Sequence, residues 1–316
     1  MALRITQAMM FRMALANLDR QRSQLSRTQE QASSGLRINR PSDDPLGAGA
    51  AVTLRAGRDA LQQLARNGSG ARARVAAADD AIANVTNVLI RVRELAIEGA
   101  NGTQDAVSRA QIAEEIRGLH AALVSEANTR FGGAHIFAGF ATDAPPFQLV
   151  GTFVDPPPTS PGVSFVGDSN EIRVQIEEAV TVAIGVDGRR AFQGDADGDG
   201  SPDAGHEDLF AVLGDLWEAL SNDDQAGTAA ALPRIDAALD QLSTERTRLG
   251  SVAKRIDDAS ERLARREVEL EVRLSEVQDA DLAKVVSNLV REESALEAGL
   301  AAMGRLLPPT LMDFLR

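Results

Sequence analysis

Residues 232–277 read LPRIDAALDQLSTERTRLGSVAKRIDDASERLARREVELEVRLSEV, and the spacing of their apolar side chains decides the fold. Steps of three and four visit Leu232, Ile235, Leu239, Leu242, Leu249, Ala253, Ile256, Leu263, Leu270, Leu274 and Val277. The same series admits only Arg246, Ser260 and Glu267 as residues that are not apolar. A stripe kept at 3.5 residues per repeat predicts one helix of about 70 Å, supercoiled against partners. An ordinary core helix, about a dozen residues on average, fits this pattern worse.

After QDAD at 278–281 the register slips by one and resumes through Leu282, Val285, Leu289, Leu296, Leu300 and Met303. The slip predicts a joint between two helical segments, the second stopped by Pro308 and Pro309. The N-terminal segment mirrors it, with Leu15, Leu18, Leu25, Ala32 and Leu36 on one seam and polar Arg22 and Gln29 admitted to it. Two further stripes follow, Val75 to Ala96 and Ile112 to Leu123, separated by the turn-like GANGTQD at 99–105. Antiparallel packing of those two helices is the natural result.

Composition agrees with packed helices. Hydrophobic residues make up 44% of the 316, yet aromatics only 3%, with one Trp and no Tyr, so a bulky sheet-sandwich core is not expected. The net charge of -13 repels phosphate backbones and anionic membrane surfaces, which argues against nucleic acid and membrane as partners. No cysteine is present, so disulfides, thiolate nucleophiles and cysteine metal sites are excluded. No apolar run of about 18 residues occurs, and Arg4 and Arg12 interrupt any signal-peptide core, so export, if it occurs, is expected without a cleavable signal.

Between 141 and 205 the character changes. The β-prone runs FQLVGTFV (147–154) and EIRVQIEEAVTVAIGV (171–186) are divided by DPPPTSPG and GDSN, which predicts a small β-rich insertion. Helix resumes at Leu209, Leu213, Leu216 and Leu220. The expected fold is therefore mainly α. Segments 1–140 and 206–316 form the two halves of a helical-bundle rod, 1–45 and 280–316 being terminal coiled-coil segments, and 141–205 is a module carried on it.

Little in the chain supports bound ions or catalysis. Asp195, Asp197, Asp199 and Asp203 take positions 1, 3, 5 and 9 of a calcium loop, with Gly200 at position 6. His206 stands at position 12, where a bidentate Glu belongs, so a solvated acidic turn is preferred to a calcium site. His120 lies within a helix stripe and His135 beside Phe137, where packing explains both. No GxSxG, P-loop or GxGxxG phosphate cradle is present, and neither an enzyme nor a cofactor is expected.

SSGLRINRPSDDPLGAG at 33–49 bends one helix into another: Gly35 suits a left-handed cap, and Asp44 before Pro45 an N-cap followed by a proline at the first helical position. Its surroundings add more. The stretch is followed by AAADDAI (76–82), RELAIEGANGT (93–103) and ANTRFGGAHIFAGF (127–140). Near the other end lies LSEVQDADLAKVVSNLVREESALEAGLAAMGRLLPPTLMDFL (274–315). In this order the motifs closely resemble the bacterial flagellin superfamily over residues 1–140 and 206–316, and RPSDDP, IFAGF and the ending LMDFLR resemble its hook-associated branch at the hook-filament junction. The resemblance implies paired terminal helices, a variable β-containing domain projecting outward, and export through the flagellar type III apparatus to an extracellular place in the flagellum.

On that resemblance the chain would dock on a hook-side junction protein, present a matching surface to flagellin, sit in a ring of its own copies, and meet an export chaperone through its C-terminal helices. Polymer contacts are expected in 1–40 and 280–316, among them Ile5, Met9, Leu15, Leu18, Leu289, Leu296 and Leu300. The alternatives are a filament-forming flagellin, an intracellular coiled-coil scaffold, or a calcium-dependent adhesin using the insertion.

Overall fold

In the computed structural model, which describes residues 7–306, the heptad series at 232–277 lies on a single helix of 54 residues. Ile235, Leu242, Leu249, Ile256 and Leu263, each one heptad from the next, are all buried. This helix, α5 (Gln225–Gln278), is one of six among the described residues, with α1 (Gln7–Ser34), α2 (Pro45–Gly99), α3 (Ala106–Ala127), α4 (Leu209–Ser221) and α6 (Leu282–Leu306). Six short strands lie between α3 and α4: β1 (Arg130–Phe131), β2 (Ala134–His135), β3 (Phe147–Val150), β4 (Gly162–Phe165), β5 (Arg173–Glu177) and β6 (Val180–Ala183). They pair antiparallel as three separate hairpins, and a short π-helical turn follows at Arg189–Gln193.

The stop and start signals sit where local chemistry places them. Gly35 has φ +71° and its N–H returns to Gln31 O, closing α1. Asp44 Oδ1 accepts the Gly47 N–H at 2.9 Å, so α2 starts at Pro45 as the capping pattern predicts. The joint at 278–281 is present, with α5 ending at Gln278 and α6 beginning at Leu282.

The elements form two compact units, one from the chain up to Ala60 together with the chain from Arg266 onward, the other from Leu61 to Arg265. In the second unit, ion pairs Asp79 to Arg246, Arg72 to Asp257 and Arg93 to Asp236 run in opposite order along α2 and α5. The two helices are therefore antiparallel, and Arg246 takes its place on the stripe by reaching a carboxylate across it. Arg91 to Glu115 and Asn84 to Glu126 set α3 antiparallel to α2, as the two stripes predicted. Val75, Ile82, Leu89, Ile116, Leu123, Leu213 and Leu216 are buried among these helices.

The GANGT turn is shaped by close approach. A Cβ at Gly99 would lie 2.5 Å from Leu220 Cδ2, so glycine lets the end of α2 pass α4 without displacing that buried side chain. Beside it Arg109, 5% exposed, donates from Nε to Gly99 O at 2.9 Å, from Nη2 to Asn101 O at 3.2 Å, and from Nη1 to Asp223. A buried guanidinium with every face used ties the α2–α3 turn to the α4–α5 turn.

The β-rich segment contributes directly to the core of this unit. Phe147 and Phe192 meet Phe210 of α4, Phe153 meets Trp217 of α4, and Phe137 and Phe165 pack on Phe192 and Phe147, in edge and tilted contacts with centroids 4.9 to 6.4 Å apart. Asn128, at the end of α3, holds the main chain of Phe147 at both N–H and carbonyl. Gly139 of IFAGF has φ +64°, and a Cβ there would fall 2.1 Å from Asp168 O. Helix gives way to hairpins after Ala127 and resumes at Leu209. One compact unit, Leu61–Arg265, runs across both expected limits, and aromatic side chains from before, within and after 141–205 pack together in it.

Candidate assembly surface

In the unit built from the chain's two ends, α1 and α6 pair along one antiparallel seam. Leu36 and Asp279 form a main-chain bridge at its base, and a Cβ at Gly299 would lie 3.0 Å from Gln21 Oε1 further along. The buried and half-buried residues of α1 include Ala14, Leu18, Gln21, Leu25, Thr28 and Ala32, and those of α6 include Val285, Leu289, Glu292, Leu296, Gly299 and Met303. Both series step by four and three, which is the heptad pattern.

This corrects the seam read from the sequence in one respect. Arg22 and Gln29 stay exposed and the admitted polar residues are Gln21 and Thr28, one position earlier. A cation turned into this narrow seam would lose its hydration, whereas a hydroxyl and an amide can bond locally. Leu15, Leu282 and Leu300 likewise face outward.

Of the residues expected in polymer contacts, Leu18, Leu289 and Leu296 therefore belong to the seam within one chain. Met9, Leu15 and Leu300 are exposed, and Ile5 lies outside the described residues. With Met9 and Leu15, α1 exposes Met10, Phe11 and Met13; α6 exposes Leu282, Val286, Val290 and Leu300. Leu282, Val286 and Val290 are four apart and share one face. After the seam has closed, both helices retain a second apolar surface, which a neighbour can cover.

A staple at the joint holds this surface in place. Arg37 N–H donates to Gln278 O at 2.7 Å and Ala280 N–H to Gly35 O at 2.9 Å. Arg37 Nη2 reaches Val277 O at 2.6 Å while its Nη1 pairs with Asp44 at 3.1 Å. Gln278, buried, also accepts from Arg55 of α2. Sequence patterning marked the joint but not Gln278, whose role comes from a meeting of segments about 240 residues apart.

Two further clusters lie in the second unit. Asp195, Asp197 and Asp199 place carboxylate oxygens within 4.8 Å of one another, but the loop already closes on itself. Asp195 accepts the N–H groups of Gly198 and Gly200, Asp197 that of Asp199, Asp199 that of Ser201, and Asp203 that of Ala196. His206, the residue at position 12, is exposed.

His120 is 1% exposed beside Phe153 and Phe210, and its Nε2 has no hydrogen-bond partner among the described residues. Burial lowers its pKa to about 4, so the ring is neutral near pH 7. The unfolded chain binds the proton near the ordinary value of 6.5, so stability is full above that pH and falls as pH drops from 6.5 toward 4. Burial pushes Asp208 the other way, up to about 6, and its contribution cancels when wild type is compared with His120→Phe. In urea titrations across this range, the wild type is expected to lose about 1 kcal/mol per pH unit relative to that variant. Parallel pH profiles would remove His120 as the cause.

Comparisons with known proteins bear on these features. Family models described as the bacterial flagellin N-terminal helical region and the bacterial flagellin C-terminal helical region match residues 5–142 and 232–315. The flagellar hook-associated protein 3 of Escherichia coli K12 is 27% identical over 95% of this chain and 96% of its own length. A Bacillus subtilis flagellin is 29% identical over 96% of this chain and 97% of its own length. Among solved structures, a putative flagellar hook-associated protein from Vibrio parahaemolyticus aligns with a TM-score of 0.63 at 18% identity, covering 75% of this chain and all of its own. The FlgL of Xanthomonas campestris aligns at 0.59 and 18%, covering 70% and 99%.

Proposed function

Because the chain belongs to the bacterial flagellin family, a family of structural flagellar proteins and not enzymes, we propose that it is the adaptor subunit at the hook-filament junction. It docks on the hook-side junction protein, stands in a ring of its own copies, and offers flagellin a surface on which the filament nucleates. The observation that carries this reading is the apolar surface on α1 and α6 that remains after the two helices have paired. Burying such a surface contributes about 25 cal/mol per Å², and a ring of copies supplies the partner. Placement outside the cell after export without a cleavable signal, and an export chaperone on the C-terminal helices, belong to the same proposal.

A filament-forming flagellin is the second reading, favoured by the full-length likeness to the Bacillus subtilis flagellin. Deleting the gene separates the two. Hooks without filaments, with flagellin monomer lost to the medium, support the adaptor. Bare hooks with no flagellin released support the filament subunit, and intact filaments overturn both.

The 195–203 loop is read as an acidic turn closed by its own hydrogen bonds. Calcium titrated into the intact protein is expected to give no binding heat, and a saturable heat lost in Asp195→Asn would overturn that reading.

A further inference from the structure

The dipeptide Asn-Gly occurs twice in the chain, at Asn67-Gly68 and at Asn101-Gly102, and the fold treats the two differently. The first pair lies well inside α2, where helical hydrogen bonding engages the main-chain amides and fixes the torsions, and the Asn67 side chain is held by Gln63 and Gln175. The second pair lies exposed in the turn between α2 and α3. There the Gly102 N–H donates to no acceptor among the described residues, while Asn101 Oδ1 accepts the Thr103 N–H at 3.2 Å. That bond folds the Asn101 side chain over the turn and polarises its carbonyl.

We infer that Asn101 is a site of self-modification, where the Gly102 nitrogen attacks the side-chain carbonyl carbon of Asn101. A bond forms between the Gly102 nitrogen and Asn101 Cγ, and the bond from Cγ to the side-chain nitrogen breaks. The proton from Gly102 leaves with that nitrogen as ammonia, giving a cyclic imide. One water then opens the imide at either carbonyl, producing aspartate or isoaspartate at position 101. Glycine makes the attack possible because no side chain crowds its nitrogen. The helix denies it to Asn67, because the required torsions would break the helical ladder.

The surroundings give the product a definite consequence. Asn101 O accepts from Arg109 Nη2 at 3.2 Å and from Gln104 N–H at 3.1 Å. In isoaspartate the chain runs through Cβ, and that carbonyl becomes a carboxylate opposite the buried guanidinium. A contact between the guanidinium and a carbonyl dipole is replaced by an ion pair, while the turn packed against Gln225 becomes one bond longer.

The test is to age the full chain at mildly alkaline pH and follow both sites by peptide mapping and by isoaspartyl methyltransferase labelling. The urea-unfolded chain serves as the control in which both sites react. Asn101 is expected to convert at least ~10-fold faster than Asn67 in the folded protein, since local protection sets the difference. Gly102→Ala, whose Cβ would meet only the Gln225 side chain at 3.4 Å, is expected to fold and to slow conversion at position 101 about 10-fold. Asn101→Gln should remove the fast labelling altogether. Equal rates at the two sites, or an unchanged Asn101 over the interval in which the unfolded chain reacts, would overturn the inference.

Discussion

Val286→Asp combined with Val290→Asp is expected to abolish incorporation into flagella while leaving the free chain folded. Both side chains are more than half exposed, at 52% and 59%, on the face of α6 turned away from α1. Exposed substitutions of this kind change monomer stability by about 0.5 kcal/mol or less. In an assembled interface the same change removes two apolar contacts and buries two carboxylates, each costing several kcal/mol (order of magnitude) without a partner. Association should fall by orders of magnitude, read as loss of motility and of filaments in electron micrographs, with the circular dichroism of the purified chain unchanged. A contrasting variant, Leu18→Asp, strikes the seam inside one chain and should melt the α1–α6 pair itself. Normal filaments from the double variant would mean that the exposed face of α6 is not the assembly surface.

The second large effect is on stability. Phe147→Ala is expected to cost about 3–5 kcal/mol, the range for removing a fully buried aromatic side chain. The Phe147 ring is 1% exposed and lies 5.2 to 5.4 Å from those of Phe165, Phe192 and Phe210. These neighbours come from β4, the π-helical turn and α4, so the loss should be felt by helices and hairpins alike. In urea, the helical signal is therefore expected to shift to a lower midpoint together with the fluorescence of Trp217, which touches Phe153 of the same cluster. A helical transition unmoved by Phe147→Ala would mean that residues 141–205 fold independently of the bundle.

The contrast between these two variants shows which features are local. Periodicity in the sequence determined the existence of α5, the joint at 278–281, the antiparallel pairing of α2 with α3, and the four buried leucines of α4. Each depends on contacts between residues three or four apart, or on a capping residue such as Gly35 or Asp44, so the information lies within a few turns of chain. The flagellin-like motifs also acquire a physical cause. Gly99 and Gly139 stand where another segment comes too close for a Cβ.

What periodicity could not settle was which side of a seam faces inward when two readings differ by one residue. Leu15 and Leu18 are equally apolar, and only α6 lying beside α1 buries Leu18 and leaves Leu15 in solvent. The Gln278 staple, the Arg109 tie between two turns and the aromatic cluster share this character. Each joins residues far apart in the chain, with no local spacing to announce it. The sequence by itself thus determined the helices, their caps and their family. Only the tertiary structure decided that the β-rich segment is part of the bundle's core and which apolar faces remain open, because burial depends on what arrives from elsewhere in the chain.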